Sequence, residues 1–362
     1  MKVLKSRIKY LFRAWSGLKR WVLRNPWKAF LIATAVLVTF VHFYTVLFVP
    51  PSREKIWKEI QVADGMSFRA VSALLSKEGI VRSQWYFEIF GRIQGISRKV
   101  RAGYYGLGPH MSMWEVLRAL RTGRIIEYAV TVPEGYNLYQ IGYVLSRTPL
   151  IAEPAEFIKV AKSRSFAQGL GIDAETLEGY LFPDTYYFAK GTSVEAIARR
   201  MVQHYRLLFA DCYRDRAAEL GYTEHEIITL ASIIEKEAKV PSERTTISAV
   251  YHNRLKGGMK LQADPTAVYG TRAWVTKVTS QDLKRKSPYN TYLHKGLPPG
   301  PIANPGKGAI LAALHPEPNG FLFFVAQGDG SHYFSEDYDS HTRAVERLRI
   351  NQRIKRRTQA ER

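Results

Sequence analysis

Cysteine is almost absent from this 362-residue chain, since Cys212 is the only one. A single cysteine excludes an internal disulfide framework and every zinc site that needs several thiolates. Nine histidines are present, but no two of them stand four residues apart around a glutamate, as they do in the zinc helix of metalloproteases. We therefore predict no metal and no other cofactor.

Acidic residues are missing from residues 1–28, which hold nine Lys or Arg. The net charge of the whole chain is +21 at pH 7, and residues 343–362 contribute a net +6 of it. Most of the positive excess therefore lies at the two ends. A nucleic-acid binder is expected to carry its cations along one folded face instead, so we predict no nucleic-acid partner.

Charge of either sign is absent from residues 29–49, a run of 21 residues. As a helix this run would be about 31 Å long, enough to cross a hydrocarbon core of about 30 Å. Pro50 and Pro51 would end it, because proline lacks the N–H that a continuing helix needs. A cleaved signal peptide is the alternative, and the 28-residue leader and the lack of a small-residue cleavage site argue against it. We predict a single transmembrane helix over 29–49.

The distribution of charge around this helix predicts its orientation. Positive residues favour the cytoplasmic side, and the charges that follow the helix at residues 53–59 are nearly balanced. The basic segment 1–28 is therefore predicted to be cytoplasmic, and about 310 residues to lie on the far side. This arrangement indicates a bacterial inner-membrane protein with a periplasmic body.

A short strand–turn–helix pattern occurs three times in the body, around residues 62–75, 108–120 and 132–145. In each copy a Ser or Asn stands before an apolar series at helical spacing, which predicts an N-cap. Further helices are predicted at about 154–163, 194–220 and 224–239, and a β-hairpin around Asp329 and Gly330. The fold class is therefore α+β. The turn-rich stretch from about 256 to 308 is predicted to be functional, because long loops in compact bodies usually are.

Two glutamates end the apolar helix that contains residues 227–237. At 100° per residue, Glu235 and Glu237 lie about 80° to either side of the centre of the apolar face. A carboxyl at such a position can be partly desolvated, which raises its pKa and suits it to donate a proton near neutral pH. The alternative is a pair of solvated glutamates on a surface helix.

Polar groups suited to bind sugar hydroxyls are concentrated in two turns. Gln262, Asp264 and Thr266 surround one of them, and an Asp-Pro turn with its own internal hydrogen bond is the alternative. Residues 287–292 alternate tyrosines with amide and hydroxyl groups, and tyrosine faces can stack on pyranose rings. A loop packed by its own tyrosines is the alternative there.

These motifs together resemble one family, the membrane-anchored endolytic murein transglycosylases, also called YceG-like proteins. The resemblance runs from about residue 58 to 345. It rests on VPEG (132–135), LEGYLFPDTY (177–186), ASIIEKE (231–237), NRL (253–255), LQADPT (261–266), SPYNTY (287–292), GLPPGPIANPG (296–306) and DGSHYF (329–334).

The resemblance implies a domain order: a LysM-like subdomain over 52–128, a catalytic domain over 129–345 and a basic tail over 346–362. It also implies cleavage of the MurNAc–GlcNAc β-1,4 bond of nascent peptidoglycan strands without water, giving 1,6-anhydroMurNAc ends. By position, the catalytic glutamate of the family falls on Glu235 rather than Glu237. Peptidoglycan glycan strands, the inner membrane and peptidoglycan synthases (penicillin-binding proteins) are the implied partners.

The implied chemistry uses one carboxyl in two protonation states, because the 6-hydroxyl of MurNAc replaces water as the attacking group. We predict that seven residues shape the saccharide cleft: Gln262, Asp264, Thr266, Ser287, Tyr289, Asn290 and Asn304. Two alternatives stay open at this point. One is a non-catalytic wall-binding scaffold for synthesis enzymes, and the other is a hydrolase that uses Glu235 and Asp264 as a pair.

Overall fold

The computed structural model describes residues 20–209, 211–271, 274 and 278–360, with side chains up to residue 350. Most of the predicted basic leader and the end of the basic tail lie outside these residues. The chain divides into two compact units between Ile126 and Glu127. The predicted α+β class is confirmed.

The long apolar helix α1 (Pro26–Phe48) follows a short helical segment at residues 20–24. Within the described residues it is the one helix long and apolar enough to cross a membrane, and none of its residues is buried in the protein. It begins at a proline, which is well tolerated in the first turn of a helix. It ends directly before Val49 and the Pro50–Pro51 pair, as the missing proline N–H groups require.

After α1, the first unit contains a two-stranded sheet, three α-helices and a short 3₁₀-helix (Ile96–Arg98). Strand β1 (Lys58–Val62) pairs antiparallel with β2 (Gly103–Leu107), so that Lys58 lies opposite Leu107. The helices are α2 (Phe68–Lys77), α3 (Gln84–Ile93) and α4 (Met113–Thr122). Their apolar faces form one core, which includes Val71, Leu75, Phe87, Tyr105 and Leu117.

The three predicted strand–turn–helix units are present, and each helix begins at the predicted N-cap. Ser67 Oγ accepts the N–H of Ala70 at 3.2 Å, and Ser112 forms a capping box with Glu115. The third copy opens the second unit, where Asn137 forms a capping box with Gln140. These caps satisfy N–H groups that the first turn of a helix leaves without a partner.

The second unit contains two antiparallel strand pairs and eleven labelled helices among its described residues. Strand β3 (Glu127–Thr131) pairs with β4 (Thr185–Ala189), and β5 (Phe323–Ala326) pairs with β6 (His332–Ser335), which confirms the predicted hairpin. The helices are α5 (Leu138–Ser146), α6 (Pro154–Ala161), α7 (Arg164–Gly169), α8 (Val194–Leu208), α9 (Asp211–Glu219), α10 (Glu224–Glu237), α11 (Arg244–Lys256), α12 (Asp264–Val268), α13 (Ser280–Leu283), α14 (Lys307–Leu314) and α15 (Tyr338–Ala360).

The helix predicted over 194–220 is two helices, α8 and α9. Phe209 ends α8 with φ −87° and ψ 77°, which are not helical values. Its buried ring packs between the rings of Tyr205 and Tyr213, at centroid distances of 5.5 and 5.7 Å. The aromatic contacts therefore accompany a break that the apolar pattern did not indicate.

Helix α10 lies in the centre of the second unit. All eight residues from 227 to 234 are buried, including Thr229 and Ser232. A helix that is buried on every side belongs to a core, so the alternative of solvated glutamates on a surface helix is wrong. The hydroxyl of Ser232 donates to the carbonyl of Thr229 and accepts the N–H of Ile302, which satisfies it inside the core.

Gly179 lies in a tight turn packed against α10. Its φ is +89°, and a Cβ there would lie 2.5 Å from Pro301 Cγ and 2.8 Å from Ile228 Cγ2. We expect Gly179→Ala to lower the free energy of unfolding by about 2–5 kcal/mol, from backbone strain and overpacking together. Gly169→Ala is the control, because nothing lies within 4 Å of its Cβ position. Thermal unfolding of both variants tests this, and equal midpoints would contradict it.

Candidate active site

The last turn of α10 carries two glutamates in different surroundings. Only 7% of the Glu235 side chain is exposed. Its Oε1 accepts a hydrogen bond from Arg244 Nη2 at 3.3 Å, and its Oε2 accepts one from the N–H of Gly306 at 3.1 Å. Burial raises the pKa of Glu235, while the Gly306 N–H and the Arg244 guanidinium act in the opposite direction. Both of its oxygens are thus held by donors of the protein itself.

Three glycines make room for this ion cluster. The guanidinium of Arg244 also contacts Glu134 Oε2, at 3.4 Å. A Cβ on Gly306 would overlap the Glu134 carboxylate, and a Cβ on Gly308 would overlap Arg244 Nη1. Gly135 approaches the side chain of Glu235, and a Cβ there would lie 3.4 Å from Glu235 Cγ. The sequence GKG at 306–308 therefore fits the close packing around Arg244.

Glu237 lines a cavity of about 390 Å³. Burial is the main cause that raises the pKa of Glu237 to about 7, and the nearby Asp264 carboxylate raises it further. The hydroxyl of Tyr251 and the main-chain N–H of Asp264 favour the ionised form and oppose the shift. A carboxyl with this pKa is protonated in a large fraction of molecules near neutral pH.

The cavity combines aromatic rings with polar groups, the usual composition of a site for a polar organic ligand. Its volume falls in the range of small-ligand pockets. Residues from six parts of the second unit line it: Glu237, Arg254, Gln262, Asp264, Tyr292, Phe323, Phe324, Val325, Ala326, His332, Tyr338, His341 and Val345.

Arg254 connects two walls of the cavity. Its Nε donates to the carbonyl of Leu322 before β5, and its Nη1 donates to the carbonyl of Leu261, both at 2.6 Å. Its guanidinium also lies over the ring of Phe323, 5.4 Å from the centroid. The side chain is buried, so these contacts hold the hairpin and the 261–264 turn in a fixed relation.

The 261–264 turn has an unusual backbone. Gln262 is the one residue other than glycine with a positive φ, 49°, among the described residues. Such a conformation costs about 1–3 kcal/mol. Thr291 offsets this cost, since its carbonyl accepts the N–H of Gln262 and its hydroxyl accepts the N–H of Ala263. The hydroxyl of Tyr292 donates to Asp264 Oδ1 at 2.6 Å. Gln262 and Asp264 are thus directed into the cavity by the 287–292 loop.

The sequence profile of the YceG-like family matches residues 60–347. The chain belongs to the YceG-like family. It is 33% identical over 304 residues to the endolytic murein transglycosylase of Bacillus subtilis, covering 80% of this chain and 84% of that protein. The Streptococcus pneumoniae protein of the same name is 28% identical over 325 residues, and the match spans 59% of its length. A crystal structure of a YceG-like protein from Listeria monocytogenes matches with a TM-score of 0.56 and 32% identity, covering 80% of this chain and 99% of that one.

In this YceG-like protein, two of the seven predicted cleft residues lie in the cavity with Glu237. These are Gln262 and Asp264, both of which are exposed. Asp264 affects the pKa of Glu237 and is not among the groups that affect Glu235. The structure therefore brings the predicted polar turn to the second glutamate of the helix.

Thr266, Asn290 and Asn304 are completely buried. Thr266 Oγ1 bonds to the carbonyl of Ala263 and the hydroxyl of Thr291, and Asn290 Nδ2 donates to the carbonyls of Leu283 and Arg285. Asn304 Oδ1 accepts the N–H groups of Gly179 and Leu181. A direct contact with a saccharide would require breaking these internal bonds.

Ser287 and Tyr289 lie half-buried in the 287–292 loop. Ser287 Oγ accepts the N–H of Tyr289 at 3.3 Å, and the Tyr289 ring packs against Tyr269 at a centroid distance of 4.7 Å. Sequence reasoning gave no role to Arg254 or His332, although both stand in the motifs that resemble the family. Arg254 bonds to the carbonyls of Leu322 and Leu261, and His332 bonds to the carboxylate of Glu243. The spacing of residues along the chain does not reveal such partners.

Proposed function

We propose that this chain is an endolytic murein transglycosylase that cuts the MurNAc–GlcNAc β-1,4 bond of peptidoglycan and leaves 1,6-anhydroMurNAc ends. Membership of the YceG-like family and relatives named for this activity support the reaction class. The observation that carries the proposal is a glutamate with a pKa near 7 in a cavity lined by aromatic and polar side chains.

We propose Glu237, rather than Glu235, as the proton donor. Glu237 lines the cavity, whereas Glu235 is not among its lining residues and is held by Arg244 and Gly306 outside it. A general acid must be protonated near neutral pH and must be able to reach the substrate. The surroundings of Glu237 meet both conditions. Glu235 then acts as a positioning residue that fixes the last turn of α10.

The proposed reaction uses the Glu237 carboxyl twice. The protonated form donates to the glycosidic oxygen, so that the bond to MurNAc C1 breaks and the GlcNAc 4-hydroxyl leaves. The carboxylate then removes the proton of the MurNAc 6-hydroxyl, whose oxygen bonds to C1 and closes the anhydro ring. Ordinary glycosidases need a second carboxylate for water or for a covalent intermediate. A hydroxyl already held next to C1 removes that need.

Aromatic and polar groups of the cavity are suited to hold the sugar. Phe323, Phe324 and Tyr292 offer ring faces, while Gln262, Arg254 and His332 offer hydrogen-bonding groups. Asp264 remains close enough to raise the pKa of Glu237 and keep it protonated until the reaction begins. A negative neighbour also favours the positive charge that develops on the sugar in the transition state.

We further propose that α1 anchors the protein in the bacterial inner membrane, with the N-terminus cytoplasmic and the body periplasmic. The charge-free run and the basic leader support this orientation. Residues 52–128 of the first unit are proposed to form a LysM-like subdomain, and residues 129–345 are proposed to be catalytic. Peptidoglycan synthases are proposed as partners, because the implied reaction ends the strands that they extend.

Analysis of products separates the proposed activity from its rivals. The full chain in detergent is incubated with purified sacculi in water enriched in ¹⁸O, and the released saccharides are analysed by mass spectrometry. A transglycosylase gives anhydro ends without ¹⁸O, and that is the expected result. The absence of any product beyond an enzyme-free control would contradict enzymatic activity and favour the wall-binding scaffold.

A hydrolase is the second candidate, because the structure contains a carboxylate pair. Asp264 raises the pKa of Glu237, so the two carboxyl groups interact, and glycosidases use a pair of carboxyl groups for hydrolysis. The pair differs from the one predicted, in that Glu237 takes the place of Glu235. Reducing ends that carry ¹⁸O in the same digest would establish hydrolysis and overturn the proposed anhydro product.

The rate of product release is expected to fall as pH rises. Because Glu237 must hold its proton and has a pKa of about 7, the rate at limiting substrate should drop about tenfold per unit above that pH. Asp264→Asn removes a charge that raises this pKa, so the falling limb should move to lower pH. Asp211→Asn on α9 changes an exposed carboxylate and is the control. If the falling limb of the pH–rate profile does not move in Asp264→Asn, Glu237 is not the proton donor.

A further inference from the structure

Helix α3 of the first unit exposes large apolar side chains. Trp85 is 64% exposed and Ile93 is 76% exposed. Both stand on the same short helix, whose sequence QWYFEIFGRI mixes aromatic and apolar residues with one acid and one base. Phe87 of this helix is buried in the core, and Trp85 and Ile93 are its large exposed apolar side chains. Large apolar side chains exposed close together usually mark a site of interaction with a protein or a membrane.

Contacts between α3 and α1 indicate that the partner is a membrane rather than a protein. The ring of Phe43 in α1 lies 6.4 Å from the ring of Tyr86 and 6.2 Å from that of Phe90. Phe43 precedes Pro50 by seven residues, which is about 10 Å along a helix. Each headgroup layer of a bilayer is only about 5–8 Å thick. If α1 spans the membrane to its end, these contacts lie at or below the headgroup layer.

A polar contact in the same place supports this depth. His42 lies in the mostly apolar α1, and its Nε2 is 2.8 Å from the hydroxyl of Tyr86. A polar group at membrane depth is expected to find a partner in the protein, since lipid chains provide none. Tyr86 supplies that partner, so the two side chains lie at the same depth relative to the membrane.

Exposed cations lie at both ends of α3. Arg82 Nη2 donates to the carbonyl of Pro50 at 2.7 Å, at the point where the chain leaves α1. Arg92, near the other end of the helix, is also exposed, and it pairs with Glu88 of the same helix at 3.4 Å. Cations beside aromatic residues are typical of a helix that lies in the interface of a bilayer with anionic headgroups.

We propose that α3 lies in the headgroup layer at the C-terminal end of α1, with Trp85 and Ile93 inserted between lipids. The first unit then contacts the membrane through a second element besides α1, and its orientation relative to the bilayer is fixed. The proposal rests on α1 as a membrane span and is independent of any catalytic activity.

Spin labels in nanodiscs of anionic phospholipid test the proposal on the full chain. The single cysteine makes this simple, because Cys212→Ser leaves none. Labels are attached through Trp85→Cys and Ile93→Cys, each made separately. Accessibility to oxygen, which concentrates in lipid, is compared with accessibility to a water-soluble nickel chelate. We expect oxygen accessibility to exceed nickel accessibility several-fold at both positions.

Two further labels serve as references. Asp64→Cys reports on an exposed turn after β1. This turn lies at one end of the β1–β2 pair, and the Ser52–Pro109 hydrogen bond lies beyond the other end, near α1. Nickel accessibility should exceed oxygen accessibility at position 64. Val38→Cys reports on the middle of α1 and should lie in lipid. Positions 85 and 93 in water while position 38 is in lipid would overturn the proposal, as would all four positions in water.

Discussion

Glu237→Gln is expected to reduce the release of anhydro-ended saccharides from sacculi about 10³-fold or more. Glutamine keeps the size and shape of the side chain but has no proton to donate, and general acid catalysis is worth about 10²–10⁴-fold. Here the same carboxyl would act as acid and then as base, so the loss should lie toward the upper end. Mass spectrometry of the soluble products, quantified against time, measures it.

Glu235→Gln is the matched comparison, since it makes the same change two residues away on the same helix. Its loss should be about tenfold or less, because the carboxylate contacts Arg244 and Gly306 and not the cavity. Thermal unfolding of both variants shows whether each is folded. An inactive, folded Glu235→Gln beside an active Glu237→Gln would return the catalytic role to Glu235.

Glu178→Ala is expected to destabilise the second unit by about 3 kcal/mol or more. Glu178 is 1% exposed, and its carboxylate accepts hydrogen bonds from the N–H of Leu138, the hydroxyl of Tyr269 and the amide of Asn304. Alanine leaves three buried donors without an acceptor, each at a cost of about 1–3 kcal/mol. For a unit of this size, the midpoint of thermal unfolding should fall by about 6–12 °C.

The pH dependence of this effect provides an internal check. Burial raises the pKa of Glu178 to about 7, so the folded state binds this proton more tightly than the unfolded chain does. The stability that the natural chain has over Glu178→Ala should therefore be largest below the ordinary carboxyl pKa of 4.5, and it should shrink as pH rises from there to about 7. Glu175→Ala, which changes a side chain 75% exposed, is expected to alter the midpoint little at any pH. Equal midpoints for the two variants would contradict the role of Glu178.

Features that depend on neighbours along the chain could be predicted from the sequence. The N-caps at Ser67, Ser112 and Asn137 are local motifs, because the side chain bonds to an N–H three residues later. The β5–β6 hairpin follows from the Asp-Gly turn between two apolar runs. The span of α1 follows from the length of a run without charge. Each of these was placed within a few residues.

The choice between Glu235 and Glu237 could not be made in this way. Helical periodicity gives the two side chains equivalent positions, one on each side of the apolar face. The difference arises from groups far along the chain: the N–H of Gly306 bonds to Glu235, and the carboxylate of Asp264 lies near Glu237. Nothing in the spacing of the helix residues indicates which glutamate these groups approach.

The partners of polar residues in proline- and glycine-rich loops could not be predicted from the sequence either. Asn304 stands in such a loop, where an amide is a reasonable candidate for contact with a sugar. In the fold it bonds instead to four groups of the protein, from the segments around Tyr136 and around residues 178–181. A sequence records the donors and acceptors of a side chain, but the partners are set by packing between distant segments.

The bonds of Asn304 have a consequence for biosynthesis. Its amide donates to the carbonyl of Tyr136, which lies 168 positions earlier, and to Glu178, which lies 126 positions earlier. Contacts over such separations close late in folding, because a long loop must first be ordered. While the chain is still emerging, the carboxylate of Glu178 lacks this partner. The second unit therefore cannot reach its final arrangement until translation has passed residue 304, and the helix that carries Glu237 stays without part of its support until then.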